Sequence, residues 1–157
     1  MRIQIWAWGG RHDTDLATAI EKFTRRVNHH YACTWHLPAP VRNAASLQPQ
    51  ALADAESDWL LSAIPPGDFL VLLDERGTMI DSPALALKLN DLLVNATQRL
   101  HLVIGGAYGV NEALRQRAQF TWQLSKLVFP HQLVRLMVAE QLYRACTIIR
   151  GEKYHHG

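Results

Sequence analysis

Apolar and polar residues alternate from Arg2 to Trp8, a two-residue period that predicts a strand, and Gly9-Gly10 ends it. Leu16, Ile20, Phe23 and Val27 then recur at helical spacing, which predicts a helix from Asp13 to about Asn28 with Asp13 or Thr14 as its cap. Tyr31 to Leu37 reads as a second strand, and Pro38 and Pro40 open a polar loop. A helix from about Gln48 to Ala63 is closed by Pro65-Pro66-Gly67. Phe69 to Leu73 is apolar without interruption, as expected of a strand buried on both faces of a parallel sheet. Asp74-Glu75-Arg76-Gly77 reads as a turn. Ser82 is placed to cap a helix that has Pro83 at its first position and runs to about Asn95. Leu100 to Ile104 is another buried strand, ending in the glycine turn Gly105-Gly106-Ala107-Tyr108-Gly109. A helix over Asn111 to Gln119, a strand over Thr121 to Leu124, a short apolar stretch at Leu127 to Phe129 and a long helix from Pro130 to about Ile149 complete the chain. Strands alternate with helices throughout, so the fold class is α/β with a mainly parallel sheet. No internal repeat, low-complexity tract or linker divides residues 1–157, and one domain is expected.

Composition changes this picture in one respect. Hydrophobic residues make up 48% and charged residues 19% of the chain, which lies at the apolar end of ordinary globular proteins. Monomers rarely leave large apolar patches exposed, so the surplus points to a further buried surface, such as a subunit interface. The formal net charge of +2 is too small to mark a nucleic-acid binder by itself. Cys33 and Cys146 show no metal-like spacing and read as buried free thiols, and a disulfide is not expected. The first residues form a strand pattern rather than a signal peptide, and no apolar run is long enough to cross a bilayer. A soluble cytoplasmic protein is expected.

Three segments are candidates for chemistry. The first is Leu100 to Gly109, a buried strand that ends in glycines at the sheet edge where α/β proteins bind ligands. It is neither GxGxxG nor a P-loop, and a tight turn without a ligand explains it about as well. The second is Gln123 to Ala145. Leu133, Val134, Leu136, Met137, Val138, Ala139, Leu142 and Ala145 surround nearly the whole helix, which is therefore expected to be buried in the core or against a second subunit. Glu140 and Arg144 stand in i,i+4 order as a structural ion pair. Arg135 is a cation among apolar neighbours and needs an acceptor, either Glu140 of a partner chain or a phosphate. The third is the tail, Gly151 to Gly157. Its composition suits disorder, and its Tyr154, His155 and His156 beside Lys153 equally suit base stacking and phosphate contact. Asp74 and Glu75 follow a buried strand and are placed like ligand-facing residues, although turns favour Asp in any case. His29, His30 and His36 show no metal spacing, and the GxSxG elbow of a serine hydrolase is absent.

In order and spacing, VIGGAYG, then LSKLVFPHQLVRLMVAEQLYRA, then KYHH near the end resemble the RlmH (YbeA-like) family of the SPOUT superfamily. LLDERG and Asp81-Ser82 are similar to two further stretches of that family. The motifs cover a little over half the chain. The N-terminal half departs in detail: Gly9-Gly10-Arg11 stands where the family has a glycine-lysine turn, and Pro38 to Ala55 contains no lysine.

The resemblance implies an enzyme that methylates N3 of pseudouridine 1915 in 23S rRNA on the assembled ribosome, with S-adenosylmethionine as cofactor and no DNA partner. It also implies a C-terminal trefoil knot, an exception to the usual rule against threaded loops, and an obligate homodimer. Carried over residue by residue, the cofactor would be held by Leu73, Gly105, Gly106, Leu124, Ser125, Lys126, Leu127, Val128 and Phe129. Catalysis would involve His131, Arg135, Tyr154, His155 and His156. Tyr154 would stack on the base, Arg135, Arg144 and Lys153 would steady phosphate or base oxygens, and the proton acceptor is one of the three histidines. Three competing readings are another SPOUT enzyme with a different target nucleotide, a non-catalytic RNA-binding factor on the same fold, and an α/β protein binding another nucleotide. The KYHH ending argues against the first, cofactor affinity would separate the second, and the missing nucleotide motifs disfavour the third.

Overall fold

The parallel pairing expected from the continuously apolar runs is present in the computed structural model of the chain, which describes residues 1–156. The elements are β1 (Arg2–Trp6), α1 (Thr14–Asn28), β2 (Cys33–His36), α2 (Pro49–Ala63), β3 (Phe69–Met79), α3 (Ser82–Val94), β4 (Arg99–Ile104), α4 (Glu112–Arg117), β5 (Phe120–Gln123) and α5 (His131–Arg150). The five strands lie in the order β2-β1-β4-β3-β5, and every pair is parallel.

Alternation along the strands divides the core into two layers. Ile3, Ile5, Val71, Leu100, Leu102, Ile104 and Trp122 face one side, where they pack with Val27 of α1, Leu85 and Leu89 of α3, and Val138 and Leu142 of α5. Trp6, Leu70, Leu72 and Val103 face the other, against Leu60 and Ile64 at the end of α2 and Leu114 of α4. Leu70 and Leu72 are fully buried, a burial that stabilises by about 2 kcal/mol per side chain. The sheet is thus covered on both faces. One strand-end polar chain lies within the second layer: Trp6 Nε1 donates to His101 Nδ1 (3.0 Å), and His101 Nε2 meets Asp68 (2.9 Å), which Arg99 also holds (2.6 Å).

Three boundaries differ from the sequence expectation. β1 stops at Trp6 rather than Trp8, because Gly9 and Gly10 take positive φ (117° and 73°) and both donate to Pro38 O instead of extending the ladder. The expected turn Asp74–Gly77 lies inside β3. Pairing with β5 shifts there, since Leu73 and Thr78 both align with Trp122, so the four residues form a bulge. Gly77 is required by contact: a Cβ would stand 2.7 Å from Thr121 O. At α3 the cap is Asp81, whose carboxylate accepts from Ala84 N at 2.8 Å. Ser82 instead donates to Gln141 of α5 (2.6 Å).

Asp81→Ala is expected to destabilise the fold by about 1 kcal/mol, read as a lower urea midpoint at unchanged m-value; an unaltered midpoint would deny the cap a role.

Candidate functional site

β4 and the first run of β3 end side by side at one edge of the sheet, β5 ends beside the continuation of β3, and a cleft of about 450 Å³ opens there. A strand end frees backbone groups from the ladder, which is why parallel α/β sheets bind ligands at this edge. Leu73 closes the first run of β3, Gly105 and Gly106 follow β4, and Leu124, Ser125, Leu127, Val128 and Phe129 follow β5; all line the cleft, as do His131 and Val134 of α5. Lys126 is exposed and lies outside the lining. Leu127 and Val128 are also largely exposed, at 72% and 91%, so the apolar lip of the cleft faces outward.

The glycine turn is closed by Gly109 N donating to Gly106 O at 3.1 Å, with Gly109 at φ 77°. Neither Gly105 nor Gly106 has a positive φ. A side chain here would meet crowding: a Cβ on Gly105 would stand 3.3 Å from Val110, a tight contact, and one on Gly106 would stand 2.0 Å from Glu56 Oε2, so the end of that side chain would have to move.

His131 begins α5 at the cleft. Burial and the Arg135 charge hold its imidazole below the ordinary histidine value, opposed by a hydrogen bond to the Gly105 backbone. It is therefore mostly neutral at pH 7, and a neutral imidazole has one ring nitrogen able to accept a proton.

Arg135 is 2% exposed. Within the chain its acceptors are main-chain carbonyls of the β1–α1 loop, a partner that the sequence reading did not weigh. One guanidinium nitrogen donates to Arg11 O (2.9 Å) and the other to Trp8 O. The guanidinium fork suits two carbonyls on one turn, and the glycines at 9 and 10 let the loop fold over it. Gln132 adds a second tie, accepting from Asp13 N at 2.9 Å. Arg135 therefore lies beneath the site and pins the loop beside it.

Tyr154, His155 and His156 are not brought to this cleft. Tyr154 packs edge-on against Tyr143 (ring centroids 4.7 Å apart) and donates to Glu140 Oε1 (3.1 Å). Arg144 lies over the Tyr154 ring and pairs with Glu140 at 2.6 Å, the ion pair expected from their spacing. Glu140 stands nine residues beyond His131, about 13 Å along the helix. The site residues thus fall into two groups, one at the start of α5 and one on its middle and end.

Two residues escaped the sequence reading. Arg115 of α4 lines the cleft and donates to Asp74 Oδ2 (2.9 Å) of the β3 bulge. Glu56 of α2 is buried behind the glycine turn. Neither lies in a motif, and only the fold joins them to the site. Cys33 and Cys146 are free, and burial pushes both thiols up to about 12. Among the described residues no group of three His, Cys, Asp or Glu side chains could hold a metal, and no helix is long and apolar enough to cross a membrane.

The family profile described as "Predicted SPOUT methyltransferase" matches residues 1–155. The chain belongs to the SPOUT methyltransferase family. Among relatives of this SPOUT methyltransferase, the "Ribosomal RNA large subunit methyltransferase H" of Geobacter sp. (strain M21) is 40% identical over 156 residues, covering 99% of both chains. The protein of the same name from Cytophaga hutchinsonii is 36% identical, covering 99% of this chain and 100% of its own. In fold, the chain is similar to a probable methylase family protein from Haemophilus influenzae Rd KW20, with a TM-score of 0.57 at 13% identity over 99% of this chain and 70% of that one.

SPOUT methyltransferases use S-adenosylmethionine, and the cleft fits it. Its volume lies within the roughly 300–1,000 Å³ of cofactor pockets. Leu73, Ile104, Leu124, Phe129 and Val134 supply apolar wall, and two glycines bare the backbone.

Two predictions follow from these contacts. Arg135→Met strands the Trp8 and Arg11 carbonyls and should destabilise the fold by about 2 kcal/mol or more in urea unfolding, with Lys restoring only part; full stability in the Met variant would contradict the tie. His12, His36, His101 and His131 are all held below the ordinary value of 6.5, chiefly by burial. The unfolded chain then binds more protons, so stability should be greatest above pH 6.5 and fall as pH drops further. A thermal midpoint that rises between pH 7.5 and 5.5 would reverse that sign.

Proposed function

We propose that this chain methylates N3 of pseudouridine 1915 in 23S rRNA on the assembled ribosome, in the cytoplasm and as a homodimer. The observation that carries the reading is the convergence of Leu73, Gly105-Gly106 and Leu124–Phe129 on one cleft at the ends of β4, β5 and the first run of β3. S-adenosylmethionine, when bound, supplies an electron-poor methyl group on its sulfonium. The backbone of the glycine turn and of Leu124–Phe129 would hold its adenine, and the apolar walls would hold its methionine chain. The loops that hold it are those the family threads into a trefoil knot.

N3 carries a proton that must leave as the methyl arrives. General-base assistance of this kind contributes about 10²–10⁴-fold. His131 is the imidazole within the chain's own cleft, held largely neutral and so able to accept a proton. It serves as proton acceptor, while Arg135 fixes the start of its helix. Tyr154, His155 and His156 act on the substrate base from a second copy, because in one chain Tyr154 and His155 lie on Glu140, Tyr143 and Arg144, and none of the three lines the cleft. Pairing of two chains also accounts for the exposed Leu127 and Val128 and for the half-buried Leu133, Leu136 and Met137 on α5. The modest net charge of +2 fits a shaped platform on the ribosome better than long-range attraction to bare RNA.

The test is incubation with ribosomes lacking the modification and radiolabelled S-adenosylmethionine, followed by mapping of the labelled nucleotide. Label is expected at N3 of pseudouridine 1915, and label elsewhere or none would overturn the assignment. Removing residues 153–157 should abolish transfer while isothermal titration still shows cofactor binding. Normal turnover by the shortened chain would remove the tail from the mechanism.

A further inference from the structure

α2 meets the glycine turn with three consecutive residues. Ser57 Oγ accepts from Asn111 N at 2.9 Å, and Asp58 Oδ1 accepts from Asn111 Nδ2 at 3.2 Å. Asn111 in turn caps α4 by accepting from Leu114 N (3.0 Å), so the far end of the turn is tied to two helices. The third residue, Glu56, makes no side-chain hydrogen bond among the described residues, although it is only 7% exposed. Burial raises its carboxyl above the usual carboxylate range. Its carboxyl oxygens are not among the buried polar atoms left without a partner, so the end of the side chain keeps contact with solvent while the rest is packed. Its carboxyl group lies directly behind Gly106: a Cβ built there would be 2.0 Å from Oε2, 2.9 Å from Cδ and 3.2 Å from Oε1.

The backbone of Gly106 does not itself need glycine, since its φ lies outside the left-handed region occupied by Gly109. The obstruction comes from α2 and not from backbone conformation.

We propose that Glu56 and Gly106 are a matched pair, in which the Glu56 side chain occupies the space a residue at 106 would need and thereby positions the cofactor turn from behind. Glu56 is on this account a positioning residue. It sets the height of the Gly105–Gly106 backbone over the cleft, while Ser57 and Asp58 fix the end of the same loop. The inference rests on the proposed function in taking that turn as the cofactor loop.

Isothermal titration with S-adenosylmethionine and steady-state kinetics on unmodified ribosomes test it. The unaltered chain comes first: absence of cofactor binding there counts against the proposed function, not against the pairing. Gly106→Ala should weaken cofactor binding about tenfold or more, because its methyl displaces the end of the Glu56 side chain that backs the turn. Adding Glu56→Ala to that variant should recover most of the loss, and adding Glu56→Gln, which keeps the volume, should not. Glu56→Ala alone should raise KM for the cofactor with a smaller change in kcat, and Glu56→Gln should restore the lower KM. If Gly106→Ala does not fold, the two Glu56 single variants decide. The pairing is overturned by a Gly106→Ala chain that binds as tightly as the original, or by a folded double variant as weak as Gly106→Ala alone. It is also overturned by a Glu56→Ala chain with unchanged KM, or by a Glu56→Gln chain as impaired as Glu56→Ala.

Discussion

A parallel sheet covered by helices on both faces leaves its backbone groups free only at the strand ends. That constraint organises this molecule. Leu70 and Leu72 point to one helical layer and Val71 to the other, so the middle of β3 has no surface with which to meet a ligand. Chemistry is forced to the edge where β4, β5 and the first run of β3 stop. The residues found there suit an edge: glycines that bare the main chain, and apolar side chains that wall a cleft. Charge enters the lining through Asp74, Glu75 and Arg76 of the bulge and Arg115 of α4, and Arg115 is paired with Asp74.

α5 connects that edge to the rest of the fold. At its start His131 faces the cleft, and one turn later Arg135 holds the β1–α1 loop through two carbonyls. On its later turns Glu140 gathers Arg144 and Tyr154. A 20-residue helix spans about 30 Å, so the two sets of polar residues serve different places on the molecular surface. An apolar helix with buried polar groups at both places is costly unless each group is satisfied. Here all but the Nε of Arg135 are drawn into local partners.

The strands, helices and their parallel order were legible in the sequence, because a parallel sheet demands uninterrupted apolar runs such as Phe69–Leu73 and Leu100–Ile104 and because helices carry their 3.6-residue period openly. The segments that line the cleft stood out as well, through the order of VIGGAYG, the Leu124–Phe129 stretch and the Pro130 helix. The Asp74–Gly77 bulge was less so. Its residues favour a turn by themselves, and only the neighbouring β5 draws them into the ladder.

What tertiary structure alone decided are contacts between residues far apart in the chain. Arg135 announced by its type that it needed an acceptor, but a carbonyl carries no side-chain signature, so Trp8 and Arg11 could not be read as its partners. Glu56 looks like any acidic residue on a helix until α2 is laid behind Gly106. The glycine itself was visible as a turn residue, whereas the reason for it, a carboxyl group from fifty positions earlier, was not. Local pattern determines elements because it acts through neighbours on one backbone. Which side chain fills which gap depends on packing between elements, and that is settled only when the layers close.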